Sequence, residues 1–216
     1  MSVHRQARAF IHPVSISRLM IICQIAGFLG AGKTTLMIRL GKALGEAGRK
    51  VAIIVNEVGE VGVDGQVIEA YGLRSVEITE GCICCSLSGS LQNTLRIISS
   101  EYHPDFVLIE PTGLALPNKV NSIIRTSMVE VERNVSVALV DAYRAENLFK
   151  ETRAFFSRQI AGVDVVAVNK VDLITKEKLA EVEALVKELE PGAKIVRISA
   201  KKGTGVRELM RELGVG

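Results

Sequence analysis

Short apolar runs alternate along this 216-residue chain with stretches whose apolar side chains recur at helical spacing. That alternation predicts an α/β fold in three layers around a mainly parallel sheet. Two further observations support it. The apolar runs lack the in-and-out alternation of a half-exposed strand, so both faces of the sheet are expected to be covered. A glycine-rich turn also joins the first run directly to the first helical stretch, as a parallel crossover requires. The length suits one domain with one sizeable core.

The first element is the run Leu19–Ala26, a buried strand, and the turn after it reads Gly27-Phe28-Leu29-Gly30-Ala31-Gly32-Lys33-Thr34-Thr35. This is the phosphate-loop pattern Gly-x-x-x-x-Gly-Lys-Thr. Gly27, Gly30 and Gly32 let the backbone turn its N–H groups onto a phosphate. Lys33 is expected to meet the β- and γ-phosphates, and the Thr34 hydroxyl to ligate Mg²⁺. Ala31 and Thr35 complete the expected nucleotide-binding set. Leu36, Leu40 and Leu44 share one face of the following helix, whose positive end would face the phosphates. The predicted architecture is therefore a P-loop NTPase fold over residues 20–216. Residues 1–19, rich in Arg and free of acids, are expected to be a disordered extension.

Gly48 is the expected stop of that helix, and 50–56 is a second buried strand. Glu57, Glu60 and Asp64 then alternate with glycines up to Gly65. Such a stretch makes a loop rather than regular structure, and its hard oxygens suit Mg²⁺ or a water-positioning role. A short strand at 75–78 leads to Cys82-Ile83-Cys84-Cys85. Three thiolates within four residues select soft or borderline ions such as Zn²⁺, Cu⁺, Co²⁺ or Ni²⁺. Cys23 lies mid-strand and is expected in the core. Leu87, Leu91, Leu95 and Ile98 mark a helix after the cysteines.

The run 105–110 is a further strand ending in Glu110, with Gly113 three residues on. An acid there polarises Mg²⁺ or its waters, and the Gly113 N–H can serve a γ-phosphate. Strands at 135–140, ending at Asp141, and at 163–168 follow. The second runs into Asn169-Lys170-Val171-Asp172, a guanine-reading signature. The Asp172 carboxylate can accept from guanine N1–H and its exocyclic amine, a pattern that adenine lacks. Lys170 can pack on the base while Asn169 ties the pocket to the phosphate loop. Thr175 is a helix cap, and Leu179, Val182, Val186 and Leu189 form that helix's apolar face. The last strand, 193–198, ends in Ser199-Ala200-Lys201, where a backbone N–H near Ala200 can reach guanine O6. A closing helix spans 206–213.

Composition narrows the partners. Aromatic residues make up 4% of the chain and the net charge is +3, which argues against a nucleic-acid partner. No apolar run reaches transmembrane length. Crowded cysteines in a chain of this size point to metal or redox chemistry in a reducing, cytoplasmic setting rather than to a disulfide frame.

Taken together, Gly27–Thr35, Asn56–Gly65, Gly81–Cys85, Glu110–Gly113 and Asn169–Asp172 resemble the CobW-type metal-handling GTPases, in the wider group with HypB and UreG. The resemblance spans residues 20 to about 201. It implies slow GTP hydrolysis to GDP and phosphate, with Lys33, Glu57 and Glu110 in the chemistry and Mg²⁺ held by Thr34, Glu57 and Glu110. It implies further that Cys82, Cys84 and Cys85 bind zinc or cobalt, for delivery to a client metalloenzyme or cofactor-assembly protein. Full CobW-type proteins usually carry a second domain. A GTPase-domain layout is nearer to HypB or UreG, for which resemblance implies a homodimer. The alternative reading is a GTPase switch that gates a partner enzyme, such as a cobalamin-dependent one, without delivering metal. A small-molecule kinase is disfavoured by Asn169–Asp172.

Overall fold

Strand β1, Met20–Gly27, lies at the middle of a seven-stranded sheet, and every one of its residues is buried. The computed structural model describes residues 19–55, 74–77, 86–111 and 115–215, with backbone alone for 74–77 and 86–90. Helix α1 (Lys33–Glu46) leaves the phosphate loop, and β2 (Val51–Val55) and β3 (Arg74–Glu77) follow. Then come α2 (Ser86–Ile97), which ends in a π-helical turn, β4 (Phe106–Glu110) and α3 (Pro117–Thr126). The remaining elements are β5 (Val131–Asp141), α4 (Ala145–Ile160), β6 (Val165–Asn169), α5 (Lys176–Leu189), β7 (Lys194–Arg197) and α6 (Val206–Glu212).

The strand order is β3-β2-β4-β1-β5-β6-β7, and all the paired strands run parallel. After β1 the chain builds one side of the sheet through β2, β3 and β4, then crosses to build the other. The seam where that order reverses lies between β4–β1 and β1–β5. In open parallel sheets the crevice beyond the strand ends at such a seam is where ligands bind.

Alternate residues of each strand feed opposite faces, which gives the three expected layers. Ile21, Cys23, Ile25, Val137 and Leu139 pack under α1 and α6, against Leu36, Leu40, Leu44 and Leu209. The intervening Ile22, Ile54 and Val107 pack against Leu91, Leu95, Val120 and Ile124 of α2 and α3. Val140, Val166 and Val168 meet Phe156, Val182 and Val186 of α4 and α5. Cys23 is fully buried in the core, as its mid-strand position predicts.

Two helix-boundary readings hold. Gly48 takes φ +73 just past α1, and the Thr175 hydroxyl caps α5 by accepting from the Lys178 N–H at 3.3 Å. Helices α3 and α4 were not read from the sequence. The first starts at Pro117, whose fixed φ favours a first turn, and its preceding Leu116 makes no side-chain cap. The second is broken internally at Thr152, which spoils a clean apolar repeat.

Candidate functional site

The nucleotide motifs converge at the carboxyl ends of the central strands. Gly27 ends β1 at φ +153, opposite Leu139 of β5, where a Cβ would stand 2.6 Å from the Leu139 carbonyl oxygen. Only glycine fits so close an approach. The loop then folds on itself, with the Ala31 N–H donating to the Phe28 carbonyl at 3.1 Å. Its outer side is pinned by aromatic packing. The Phe28 ring lies edge-on to Phe155 at 5.3 Å and beside Phe156 at 5.8 Å, so α4 braces the loop.

Lys33 is buried, and its ammonium is held by the Phe28 carbonyl at 3.4 Å and by Glu110 Oε1 at 3.7 Å. Thr34 Oγ1 donates to Glu110 Oε2 at 3.0 Å. Glu110 closes β4, the strand hydrogen-bonded to β1, so parallel pairing sets its carboxylate beside the start of α1. A hydroxyl and a carboxylate converging from two elements form a hard-oxygen pair that fits Mg²⁺, which keeps most of its waters and takes few protein ligands. Glu57, Glu60, Asp64, Cys82, Cys84, Cys85 and Gly113 lie outside the described residues. Among the described residues no group of three or more His, Cys, Asp or Glu could hold a metal.

Asn169 and Lys170 join the base-reading motif to the phosphate loop. The Asn169 amide donates to the Ala31 carbonyl at 2.7 Å, and its Oδ1 accepts from the Ala200 N–H at 2.9 Å. One buried side chain thus links loop 27–35 to loop 199–203. Gly32, at φ +99, makes room for it, since a Cβ there would stand 2.6 Å from Asn169 Nδ2. Lys170 adopts the left-handed conformation at φ +65 and donates through Nζ to the Gly30 carbonyl at 2.8 Å. The sequence points to a backbone N–H near Ala200 as a donor to the base, and that of Ala200 itself is committed to Asn169.

Asp172 lies between Ser199 and Lys202. A hydrogen bond from the Ser199 hydroxyl, helped by the Lys202 ammonium at 3.5 Å, holds its carboxyl below the ordinary aspartate range against partial burial. Ser199 is buried and also accepts from the Lys202 N–H at 3.2 Å. Ala31 is buried and Thr35 exposed.

Three residues at this site escaped the sequence reading. Asp141, 2% exposed, accepts from Lys170 Nζ at 2.8 Å and from Arg144 Nε at 2.6 Å. Arg144 donates to the Leu29 carbonyl at 2.8 Å. Arg39, one turn beyond the phosphate loop on α1, reaches the Ala200 carbonyl at 3.2 Å and the Lys201 carbonyl at 2.6 Å. Asp141 was visible as a strand end. Neither arginine sits in a motif, so no spacing singled it out.

Known proteins are similar to this chain in sequence and in fold. The chain is 32% identical over 222 aligned positions to the zinc chaperone CobW of a Sinorhizobium species, covering 89% of this chain and 62% of that protein. It is 34% identical to the zinc chaperone YeiR of Escherichia coli, covering 71% of this chain and 47% of that protein. The chain therefore spans about half to three-fifths of the length of these relatives. Among solved structures, the hydrogenase maturation factor HypB of Archaeoglobus fulgidus aligns with a TM-score of 0.67 at 22% identity, covering 92% of this chain and 90% of that one. The Zn(II)-bound YjiA GTPase of E. coli aligns at 0.56 and 23% identity, over 82% of this chain and 57% of that one. At these identities the structural matches speak for the fold alone. The family description "CobW/HypB/UreG, nucleotide-binding domain" fits residues 21–197, which include the phosphate loop, Glu110 and Asn169–Asp172. The chain belongs to that family.

Proposed function

We propose that this domain binds and hydrolyses GTP and couples hydrolysis to the handling of a transition metal, zinc or cobalt, at Cys82, Cys84 and Cys85. The observation that carries the nucleotide half is the Asn169 bridge between the Ala31 carbonyl and the Ala200 N–H, because it makes the phosphate cradle and the base-reading loops one unit. The metal half rests on the Cys-x-Cys-Cys motif and on relatives named as zinc chaperones.

In this reading Lys33 neutralises the β- and γ-phosphates, and loop N–H groups at Gly30, Gly32, Lys33 and Thr34 orient them. Thr34 and Glu110, with Glu57 from the acidic loop, would hold Mg²⁺. When bound, that ion supplies charge neutralisation between the phosphates. Glu57 and Glu110 also serve to position the attacking water, and the Gly113 N–H serves the γ-phosphate. Asp172 selects guanine. The acidic loop and the cysteines flank the short β3, so ordering one by GTP would move the other. A client metalloenzyme or cofactor-assembly protein would receive the metal.

The test is a titration of Zn²⁺ and Co²⁺ into protein loaded with GDP or with a non-hydrolysable GTP analogue, with Cys82/Cys84/Cys85→Ser as control. Tighter binding in the GTP state is expected, by roughly 5- to 150-fold. Equal affinities in the two states would sink the coupling. A protein that hydrolyses GTP but passes no metal to an apo-acceptor would favour the switch reading instead.

A further inference from the structure

The turn at 199–203 commits its backbone donors inside the protein, with one exception. The Ser199 N–H goes to the Thr204 carbonyl at 3.0 Å, and that of Ala200 to Asn169 Oδ1 at 2.9 Å. Lys202 N–H goes to the Ser199 hydroxyl at 3.2 Å, and that of Gly203 to the Ser199 carbonyl at 2.7 Å. Lys201 N–H alone has no acceptor among the described residues, and Lys201 is exposed. A donor in a turn beside Asp172 is placed to meet a carbonyl on the same base edge.

What holds that donor is Arg39. In a trans peptide the C=O and N–H point in opposite directions. The Ala200 carbonyl shares its peptide plane with the Lys201 N–H, and Arg39 Nε binds that carbonyl at 3.2 Å. Arg39 Nη2 binds the next carbonyl, Lys201 O, at 2.6 Å. The guanidinium fork therefore fixes both peptide planes around Lys201 and turns its N–H away from α1. A planar fork does this with two parallel bonds from one side chain, which a point charge on a flexible stem does not.

We infer that Arg39 is a specificity-positioning residue: from the helix that begins at the phosphate loop, it aims the Lys201 N–H at the 6-oxo group of the bound purine. The inference rests on the guanine reading proposed above. Asp172 reads N1–H and the 2-amino group, and the donor held by Arg39 reads O6. The two contacts fall on different atoms of the base, so nucleotide analogues separate them.

The experiment compares dissociation constants for GDP, ADP, IDP and 6-thio-GDP in the unchanged protein, in Arg39→Ala and in Arg39→Lys. IDP lacks the 2-amino group read by Asp172, and 6-thio-GDP replaces O6 with a poor acceptor. Arg39→Ala is expected to weaken GDP about tenfold, the scale of one lost hydrogen bond to a neutral group. Its preference for GDP over 6-thio-GDP should fall towards one while its preference over IDP stays as before. Arg39→Lys should recover part of the 6-thio discrimination. If Arg39→Ala keeps the full GDP/6-thio-GDP ratio, or loses both ratios together, Arg39 is a structural tie only and the inference is overturned. An unchanged protein that separates GDP from ADP but not from 6-thio-GDP has no O6 donor to position, which overturns this inference alone. If it binds ADP as tightly as GDP, the guanine reading falls and takes this inference with it.

Discussion

Asp141 and Lys170 form an ion pair under the phosphate loop, with Oδ2 and Nζ 2.8 Å apart, and the same oxygen accepts from Arg144 Nε. Both cations reach on to loop carbonyls, Lys170 to Gly30 and Arg144 to Leu29. Asp141→Asn removes the shared counter-charge from a buried position and leaves two cations to repel one another. Because both are partly exposed, the loss should be milder than for a fully buried pair, about 1–3 kcal/mol. Scanning calorimetry should show the unfolding midpoint lowered by roughly 3–10 °C. GDP affinity should fall with it, since the loop loses two of its ties. An unshifted midpoint would mean that the pair is not formed in solution.

The phosphate end predicts a separable set of defects. Lys33→Ala should abolish turnover, because a fixed cation is removed from the transferred phosphoryl group. Thr34→Ala and Glu110→Gln should instead weaken the Mg²⁺ dependence of GTP binding while GDP binding without Mg²⁺ changes little. The unchanged domain is expected to turn over slowly, at about 10⁻⁴ to 10⁻² per second, in line with unassisted GTPases. Single-turnover assays across a Mg²⁺ series would check both points. Rapid hydrolysis by the domain alone would reveal an unrecognised catalytic group.

Base choice should withstand acid. The Asp172 carboxyl is held below its ordinary range by Ser199 and Lys202, so it remains ionised as the pH falls past the value of a free aspartate. Its contribution to binding and stability is present above the unfolded-state value and is lost only as pH drops through the lower folded one. GDP preference over ADP should therefore be flat from pH 8 to 5 and decline only below about pH 4. In Ser199→Ala the decline should begin at higher pH. Asp172→Ala should cost GDP preference by about a hundredfold or more between pH 5 and 8, where the carboxylate is ionised.

The four cysteines should fall into two classes under thiol reagents. Burial pushes the Cys23 thiol up to about 12, helped by the Asp164 carboxylate, so it has almost no thiolate at neutral pH. An aromatic disulfide reagent should spare Cys23 in the native protein and react with it only after denaturation. Saturating Zn²⁺ should protect Cys82, Cys84 and Cys85. Labelling of Cys23 under native conditions would show that the sheet opens locally.

The three-layer fold was legible because each buried strand announces itself as an apolar run and each phosphate or base motif falls at a strand end. Glu110 stands against Lys33 and Thr34, and Asn169 against Ala31, because parallel pairing of β1 with β4 and of β5 with β6 sets those strand ends side by side. The brace from Phe28 to Phe155 and Phe156, and the ties of Arg39 and Arg144, were not legible. Each joins residues more than a hundred positions apart, and bonds from arginine to backbone carbonyls carry no residue-type signature at the acceptor. Helix α4 hid its apolar face behind the break at Thr152.

The absent side chain of Gly27 sets a distance. The phosphate-loop motif grows from β1, while Asn169, Asp172 and Ser199, expected from the sequence to serve the base, follow β6 and β7 on the far side of β5. The interval between the two halves of the site is thus fixed by how closely β1 and β5 approach, and at Gly27 and Leu139 they approach too closely for any Cβ. A single methyl group there would push the strand ends apart and stretch the span between cradle and base pocket. Gly27 therefore works as a spacer within the sheet, setting how near the carboxyl ends of β1 and β5 can come.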